Sequence, residues 1–306
     1  MTITQLEYVL AVFQKRNFVE AAKFCSVSQP TLSMQLKKLE EEIGYVIFDR
    51  SKMPVIVTEE GGLFIEQAKK VILEFKKLYQ RDEKELKGEL IIGIIPTIAS
   101  DLIPLFLPRF LADFPMISIR FEELKTEEII EKLKRDEIHA GILATPLKES
   151  SFIEKVLYYE PFVPYISGSH KLSKKSTIDP GEIDGENLWL LEEGHCLRTQ
   201  ILKLCSARRS HSLPVFTGGN IETLMRLVDE NLGMTILPFL ALKHAKTKNI
   251  RKFSHEVPVR EVSIVTARNF YKENLIGALE TSILNSLPDD LDIPKRRKIH
   301  ILKPLS

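Results

Sequence analysis

The run LIIGII, residues 90 to 95 within GELIIGIIPT, limits the fold more than any other stretch of this 306-residue chain. It is too short to be a free-standing helix and shows no polar alternation, so it reads as a strand covered on both faces. The residues after it keep that rhythm: a helix at ASDLIPLFLPRFLADF despite its prolines, a strand at MISIRFEEL, a helix at TEEIIEKLKRDEI and a strand at HAGILAT. Alternation of this kind builds a mostly parallel sheet clothed by helices. After YYEPFVPYISG the pattern restarts, with strands expected at NLWLLEE, PVFTG and GMTILP. A late strand, EVSIVTARN, and an amphipathic helix from Glu273 to Ser286 return to the first lobe. The expectation is an α/β region over residues 88–306 with two lobes, about 88–162 with 266–306 and about 163–265. Ligands of such sheets bind in the cleft at the carboxyl ends of strands.

Forty-three Lys and Arg face 42 Asp and Glu, so net charge argues for neither a nucleic acid nor a membrane partner. The opening residues lack the apolar core of a secretory signal, and no segment approaches the roughly 20 apolar residues of a transmembrane helix. Three cysteines do not make a secreted disulfide framework; reduced thiols in a cytoplasm fit better. The basic KRRK at 295–298 reads as a solvated tail.

Residues 1–58 have a different grammar. Leu6, Val9, Leu10 and Phe13 recur with helical spacing, and FVEAAKFC suggests a second short helix. In the third, Ser28 caps, Pro30 sits in the first turn, Leu32, Leu36, Leu39 and Ile43 form the buried stripe, and Gly44 ends it. Its other face carries Gln29, Ser33 and Lys37, residues common on any exposed helix but also suited to a major groove. YVIFDRSKMPVIVT then reads as two strands and a turn, with Arg50 and Lys52 on a wing. Against this, residues 1–60 hold seven cations (Lys15, Arg16, Lys23, Lys37, Lys38, Arg50, Lys52) and eight acids (Glu7, Glu20, Glu40, Glu41, Glu42, Asp49, Glu59, Glu60), so binding needs the cations on one face. Downstream, over residues 59–87, Phe64, Ala68, Val71, Phe75 and Leu78 form a short heptad seam on a long helix. That seam either packs on its own domain or meets a partner helix.

The stretch AAKFCSVSQPTLSMQLKKLEEEIGYVIFDR resembles the LysR-type transcriptional regulators, and the likeness extends over almost the whole chain. It implies a winged helix-turn-helix, a linker helix that dimerises through the seam, and a two-lobed effector domain resembling periplasmic binding proteins. It also implies double-stranded DNA as partner, met by Ser28, Gln29, Pro30, Ser33, Lys37 and Arg50, together with RNA polymerase, and a homodimer or homotetramer as the working form.

Two of the three cysteines, Cys196 and Cys205, lie in LLEEGHCLRTQILKLC. Cys196 is expected at a helix start beside His195 and Arg198, where a thiol should be more acidic than a free one. A regular helix would hold the two cysteine Cα atoms about 13 Å apart, beyond the roughly 7 Å a disulfide spans. A bond between them therefore demands that the helix be remodelled. On spacing alone, two inert packing cysteines are the simpler reading, just as Thr97 and Thr126, each past a strand end, are most simply helix caps. GHCLRTQILKLC, GIIPTIASDLIP and LKTEE, however, resemble the peroxide-sensing members of the LysR type, while GGNIETL and the C-terminal tail depart from that pattern. The resemblance implies hydrogen peroxide as effector and no metal or other cofactor. Cys196 would be the peroxidatic thiol, Cys205 its resolving partner, and Thr97, Thr126, His195 and Arg198 the groups around them, with a thiol reductant to reset the bond. Two competing expectations are a LysR-type regulator with a small organic effector in its cleft and a thiol peroxidase. The latter leaves the helix-turn-helix without work.

Overall fold

The computed structural model describes residues 1–77, 86–147, 149–183, 187–204, 220–254, 257–268, 270, 272–291 and 301–304. The chain divides into two compact units, the first holding residues 1–85 with the short stretches 134–137 and 268–273, the second the remainder.

The first unit opens with α1 (Ile3–Lys15), α2 (Phe18–Phe24) and α3 (Gln29–Ile43). Each start is locally determined. Thr2 and Gln5 form a reciprocal capping box on α1, Asn17 accepts from two amides of α2, and Ser28 accepts from Thr31 N–H on α3. Val9, Val12, Ala21, Leu32, Leu36 and Leu39 make the common core, and Gly44 leaves α3 at φ +84°, a conformation side chains rarely adopt. The two-residue strands β1 (Phe48–Asp49) and β2 (Ile56–Val57) pair antiparallel as a wing. Thr58 then accepts from Gly61 N–H to start α4 (Glu59–Lys77). Along α4 the heptad seam is not uniform: Phe64 and Ala68 pack toward Leu6, Val71 is exposed and Phe75 is half-buried. Leu78 lies outside the described residues.

The second unit contains β3 (Gly88–Ile94), α5 (Pro96–Asp113), β4 (Ile117–Glu123), α6 (Thr126–Lys134), β5 (Ala140–Thr145) and β6 (Phe152–Ile166). Then come β7 (Thr177–Ile178), α7 (Cys196–Leu204), α8 (Ile221–Asp229), β8 (Met234–Pro238), β9 (Lys252–Phe253), β10 (Val259–Ala267) and α9 (Glu273–Leu284). Six strands form one sheet in the order β4-β3-β5-β10-β6-β8. The β3 run is parallel to both neighbours, whereas β10 runs antiparallel between β5 and β6. The two lobes thus share strands. Residues Phe152–Pro161 of β6 pair with β10, and Phe162–Ile166 pair with β8. The expected lobe limit at 265 falls inside β10, whose residues Glu261–Val265 face β5. The expected strand NLWLLEE is instead an irregular segment bridged to β8 at Leu188↔Met234. PVFTG and KRRK lie outside the described residues.

Candidate functional site

Three expected residues begin helices of the second unit: Thr97 is second in α5, Thr126 first in α6 and Cys196 first in α7. All three are buried, at 2%, 2% and 7% exposure. The strand β3 delivers Thr97, β4 delivers Thr126, and the turn Glu192–His195 delivers Cys196. That turn passes through Gly194 at φ +89°, where an added Cβ would meet the Lys125 side chain at 3.1 Å. Lys125 Nζ donates to Glu192 Oε1 at 3.0 Å and to the Glu193 carbonyl at 3.4 Å, so the start of α6 grips the turn before Cys196.

Behind these helices lies a buried ion pair that sequence reasoning missed. Arg260 on β10 stands directly opposite Glu160 on β6, and both are essentially inaccessible. Arg260 Nε donates to Glu160 Oε2 at 2.8 Å, Nη1 to Thr97 Oγ1 at 3.0 Å and Nη2 to the Thr97 carbonyl at 2.9 Å. Glu160 Oε1 also accepts from Leu240 N–H. Thr97 is therefore already committed to Arg260. Thr126 Oγ1 and Tyr158 Oη are buried without a hydrogen-bond partner among the described residues. A signal for the pair was present: Arg260 and Glu160 each interrupt an apolar stretch, VPVREV and YYEPFV, as a buried pair must.

The electrostatics correct the expected acidity of Cys196. Burial pushes its thiol pKa up; Arg260, the Leu197 amide and the Thr126 hydroxyl pull the other way and do not overcome it. The favourable cation is Arg260 rather than His195 or Arg198. His195 is held below the ordinary imidazole range by burial and by Lys125, with Glu192 at 3.7 Å opposing, so its imidazole rests neutral. Arg198 donates to the Leu191 carbonyl at 3.0 Å and closes the turn before the helix. Cys205, the residue after α7, lies outside the described residues.

A cavity of about 710 Å³ opens beside this corner, lined among others by Asp101, Lys125, Glu128, Glu192, His195 and His244. Asp101 is buried there with Lys243 Nζ at 3.4 Å and His244 Nε2 at 3.7 Å. Among the described residues no group of His, Cys, Asp and Glu could hold a metal ion, and no helix is long and apolar enough to cross a membrane.

In the first unit, Ser28, Gln29, Pro30 and Lys37 are exposed on one end and flank of α3, with Ser33 half-buried. Gln29 Nε2 donates to Ser33 Oγ at 3.0 Å, and Lys37 lies 3.8 Å from Glu41. Arg50 pairs with the buried Glu40 at 2.6 Å and covers the Phe18 ring. Glu40 in turn accepts from the Ile47 and Phe48 amides, so it fixes the wing to α3. Cys25, at the end of α2, packs against the helix core.

The profile described as the LysR substrate binding domain matches residues 83–287, and that of the bacterial regulatory helix-turn-helix protein, lysR family, matches residues 3–62. The chain belongs to the LysR family. As a LysR-family, DNA-binding transcription regulator it has relatives of similar length. It is 34% identical over 272 residues to the hydrogen peroxide-inducible genes activator of Haemophilus influenzae, covering 87% of this chain and 90% of that one. It is also 34% identical, over 79% of this chain and 80% of the relative, to the DNA-binding transcriptional dual regulator OxyR of Escherichia coli K12. A full-length OxyR of Pseudomonas aeruginosa, with one cysteine replaced by aspartate, superposes with a TM-score of 0.78 at 34% identity, covering 94% of this chain and 99% of that one. These LysR-family likenesses span both units, the helix-turn-helix as well as the lobes.

Proposed function

We propose that this LysR-family regulator is a transcriptional activator of the oxidative-stress response that senses hydrogen peroxide through Cys196. The observation that carries the reading is the corner where Cys196 opens α7, with the buried Thr126 hydroxyl and the buried Arg260 cation both acting on its thiol. The names of the relatives, peroxide-inducible activators and OxyR, support the same reading.

The chemistry derives from the nucleophile. A Cys196 thiolate attacks one peroxide oxygen, the O–O bond breaks, and hydroxide leaves to be protonated to water, so that sulfur is oxidised to the sulfenic acid. Arg260, the helix-start amide and the Thr126 hydroxyl favour the thiolate. Because burial holds Cys196 as a thiol at rest, oxidation needs peroxide to reach the corner rather than mere exposure to solvent. The Cys205 thiol then attacks the sulfenic sulfur, water leaves, and a disulfide forms; a cellular thiol reductant reverses it. In this reading Thr97 acts through Arg260, while His195 and Arg198 shape the turn that presents Cys196.

The switch acts on DNA through Ser28, Gln29, Pro30, Ser33, Lys37 and Arg50. It does so as a homodimer or homotetramer joined through the seam of α4, in the cytoplasm, with RNA polymerase as the downstream partner. Titration of free thiols after a small peroxide dose tests the proposal. Two thiols disappear in the unaltered chain, and that paired loss is absent in Cys196→Ser and in Cys205→Ser. The cavity beside His195 favours a second reading, a small polar effector. Unchanged thiols together with a melting-temperature shift by a metabolite would select it.

A further inference from the structure

The C-terminal residues seat on the helix that carries Cys196. Ile301 forms a parallel bridge with Val259 at the start of β10, and Leu302 N–H donates to the Val259 carbonyl at 2.9 Å. From the other side Gln200, fully buried on α7, donates Nε2–H to the Leu302 carbonyl at 2.6 Å, and Lys203 Nζ donates to the Lys303 carbonyl at 3.1 Å. The Leu302 side chain is 5% exposed within the core cluster that contains Leu197 and Ile201. One short strap thus ties the middle of α7 to the strand bearing Arg260.

We infer that this strap restrains the switch, with Gln200 and Leu302 as positioning residues for disulfide closure; the inference rests on the peroxide-sensing reading above. Over Cys196–Leu204 the helix spans eight residue steps, about 12 Å along its axis. Cys205 is one Cα step of about 3.8 Å beyond Leu204. Chain connectivity alone then puts the roughly 7 Å Cα separation of a disulfide out of reach while α7 is intact. Closure requires α7 to unwind, and Gln200 and Lys203, at and beyond its midpoint, hold the strap. Unwinding breaks both hydrogen bonds and draws Leu302 from its core. Attack of the Cys196 thiolate, at the first residue of the helix, on peroxide requires none of this. The strap accordingly slows the second chemical step, in which the Cys205 thiol displaces water from the Cys196 sulfenic acid, and leaves the first alone.

The test uses the full chain and three variants: Leu302→Ala, Lys203→Gln, and a chain lacking residues 301–306. Sulfenic acid formation is followed by dimedone trapping in a Cys205→Ser background, and closure by loss of the second thiol after stopped-flow mixing with hydrogen peroxide. Sulfenylation should proceed at the unaltered rate in every variant. Closure should accelerate about tenfold in Leu302→Ala, from the loss of buried contacts, and severalfold, about threefold, in Lys203→Gln, from the loss of one hydrogen bond. A strap that merely stabilises the fold would lower the melting temperature and leave the closure rate where it was. Equal closure rates in a chain that does lose two thiols overturn the strap and leave peroxide sensing standing. No thiol loss in the unaltered chain overturns both. Lys203→Gln, at a partly exposed position, serves as the test should the truncated chain fail to fold.

Discussion

Helix α3 and the Cys196 corner are both built on helix starts, yet they are assembled over different reaches of chain. Everything that defines α3 lies within it or a few residues away: the Ser28 cap, Pro30 in the first turn, the Leu32–Leu36–Leu39 stripe and Gly44 at the end. The Cys196 corner depends on partners far along the chain. Arg260 is 100 residues from Glu160 and 163 from Thr97, and Lys125 reaches 67 residues to Glu192. A face proposed to meet DNA needs regular spacing of exposed groups, which a helix supplies by itself. A buried reactive thiol needs a placed cation and a shaped turn, and no single element supplies those.

The largest effect expected is on the corner alone. Cys196→Ser should abolish the transcriptional response to peroxide while leaving DNA affinity of the reduced protein unchanged, measured by reporter induction and by DNA binding under reductant. A variant that still responds would dissolve the distinction, because the two regions would then not divide sensing from reading.

Next in size is the ion pair behind the thiol. Arg260→Ala leaves the fully buried Glu160 without its cation and should destabilise the second unit by about 3–5 kcal/mol, the usual consequence of breaking a buried pair. Urea unfolding measures it. The double change Arg260→Met with Glu160→Gln keeps an acceptor for the Leu240 amide and removes both charges, so it should regain most of that loss. If the single change is as mild as a surface substitution, the corner is less dependent on distant partners than its geometry implies. A full recovery of stability without recovery of peroxide reactivity would sharpen the comparison, separating what Arg260 does for the fold from what it does for Cys196.

The same contrast explains what could be read from the sequence. Helix starts, the wing and the strand-helix alternation were legible because caps, stripes and apolar runs are local. Thr97 and Thr126 could be placed after strand ends for the same reason, and Cys196 at a helix start, although the segment before it is irregular rather than a strand. Arg260 was not legible as a partner of the thiol, since its strand appears in the sequence only as VREVSIV and its neighbours arrive from β6 and α5. Acidity was misjudged likewise: His195 and Arg198 adjoin Cys196 in sequence, but adjacency in the chain did not make them its charge partners. NLWLLEE has the composition of a strand, yet Asn187 and Trp189 meet β8 through only a few bonds, so tertiary context set its conformation.

A smaller effect belongs to the local helix. Ser28→Ala removes the cap on α3 and should lower stability by about 1 kcal/mol, read as a reduced melting temperature. Ser28→Asp restores a capping oxygen but adds negative charge at the proposed DNA face. Its stability should return while DNA affinity falls, more so at low salt. Recovery of both would make Ser28 a cap and nothing more.

The mildest prediction sets two adjacent residues against each other through pH. Burial lowers the pKa of His195 and raises that of Cys196. For His195 the unfolded chain binds the proton more readily, so stability is fully present above the ordinary imidazole pKa and is lost as pH falls through it toward the folded value. For Cys196 the unfolded chain loses its proton first, so stability is present below the ordinary thiol pKa and is lost as pH rises through it. The reduced protein should therefore be most stable near neutrality, with the corner contributing a slope on each side. His195→Gln should flatten the acid side, and Cys196→Ser should reduce the alkaline side. Part of the alkaline slope will remain, because Cys25 in the helix-turn-helix is also raised, by burial and then by Glu7. Urea midpoints taken from acid to alkaline pH would test this. Parallel curves for all three proteins would mean that the neighbours titrate alike folded and unfolded, and that the corner is wetter than its packing requires.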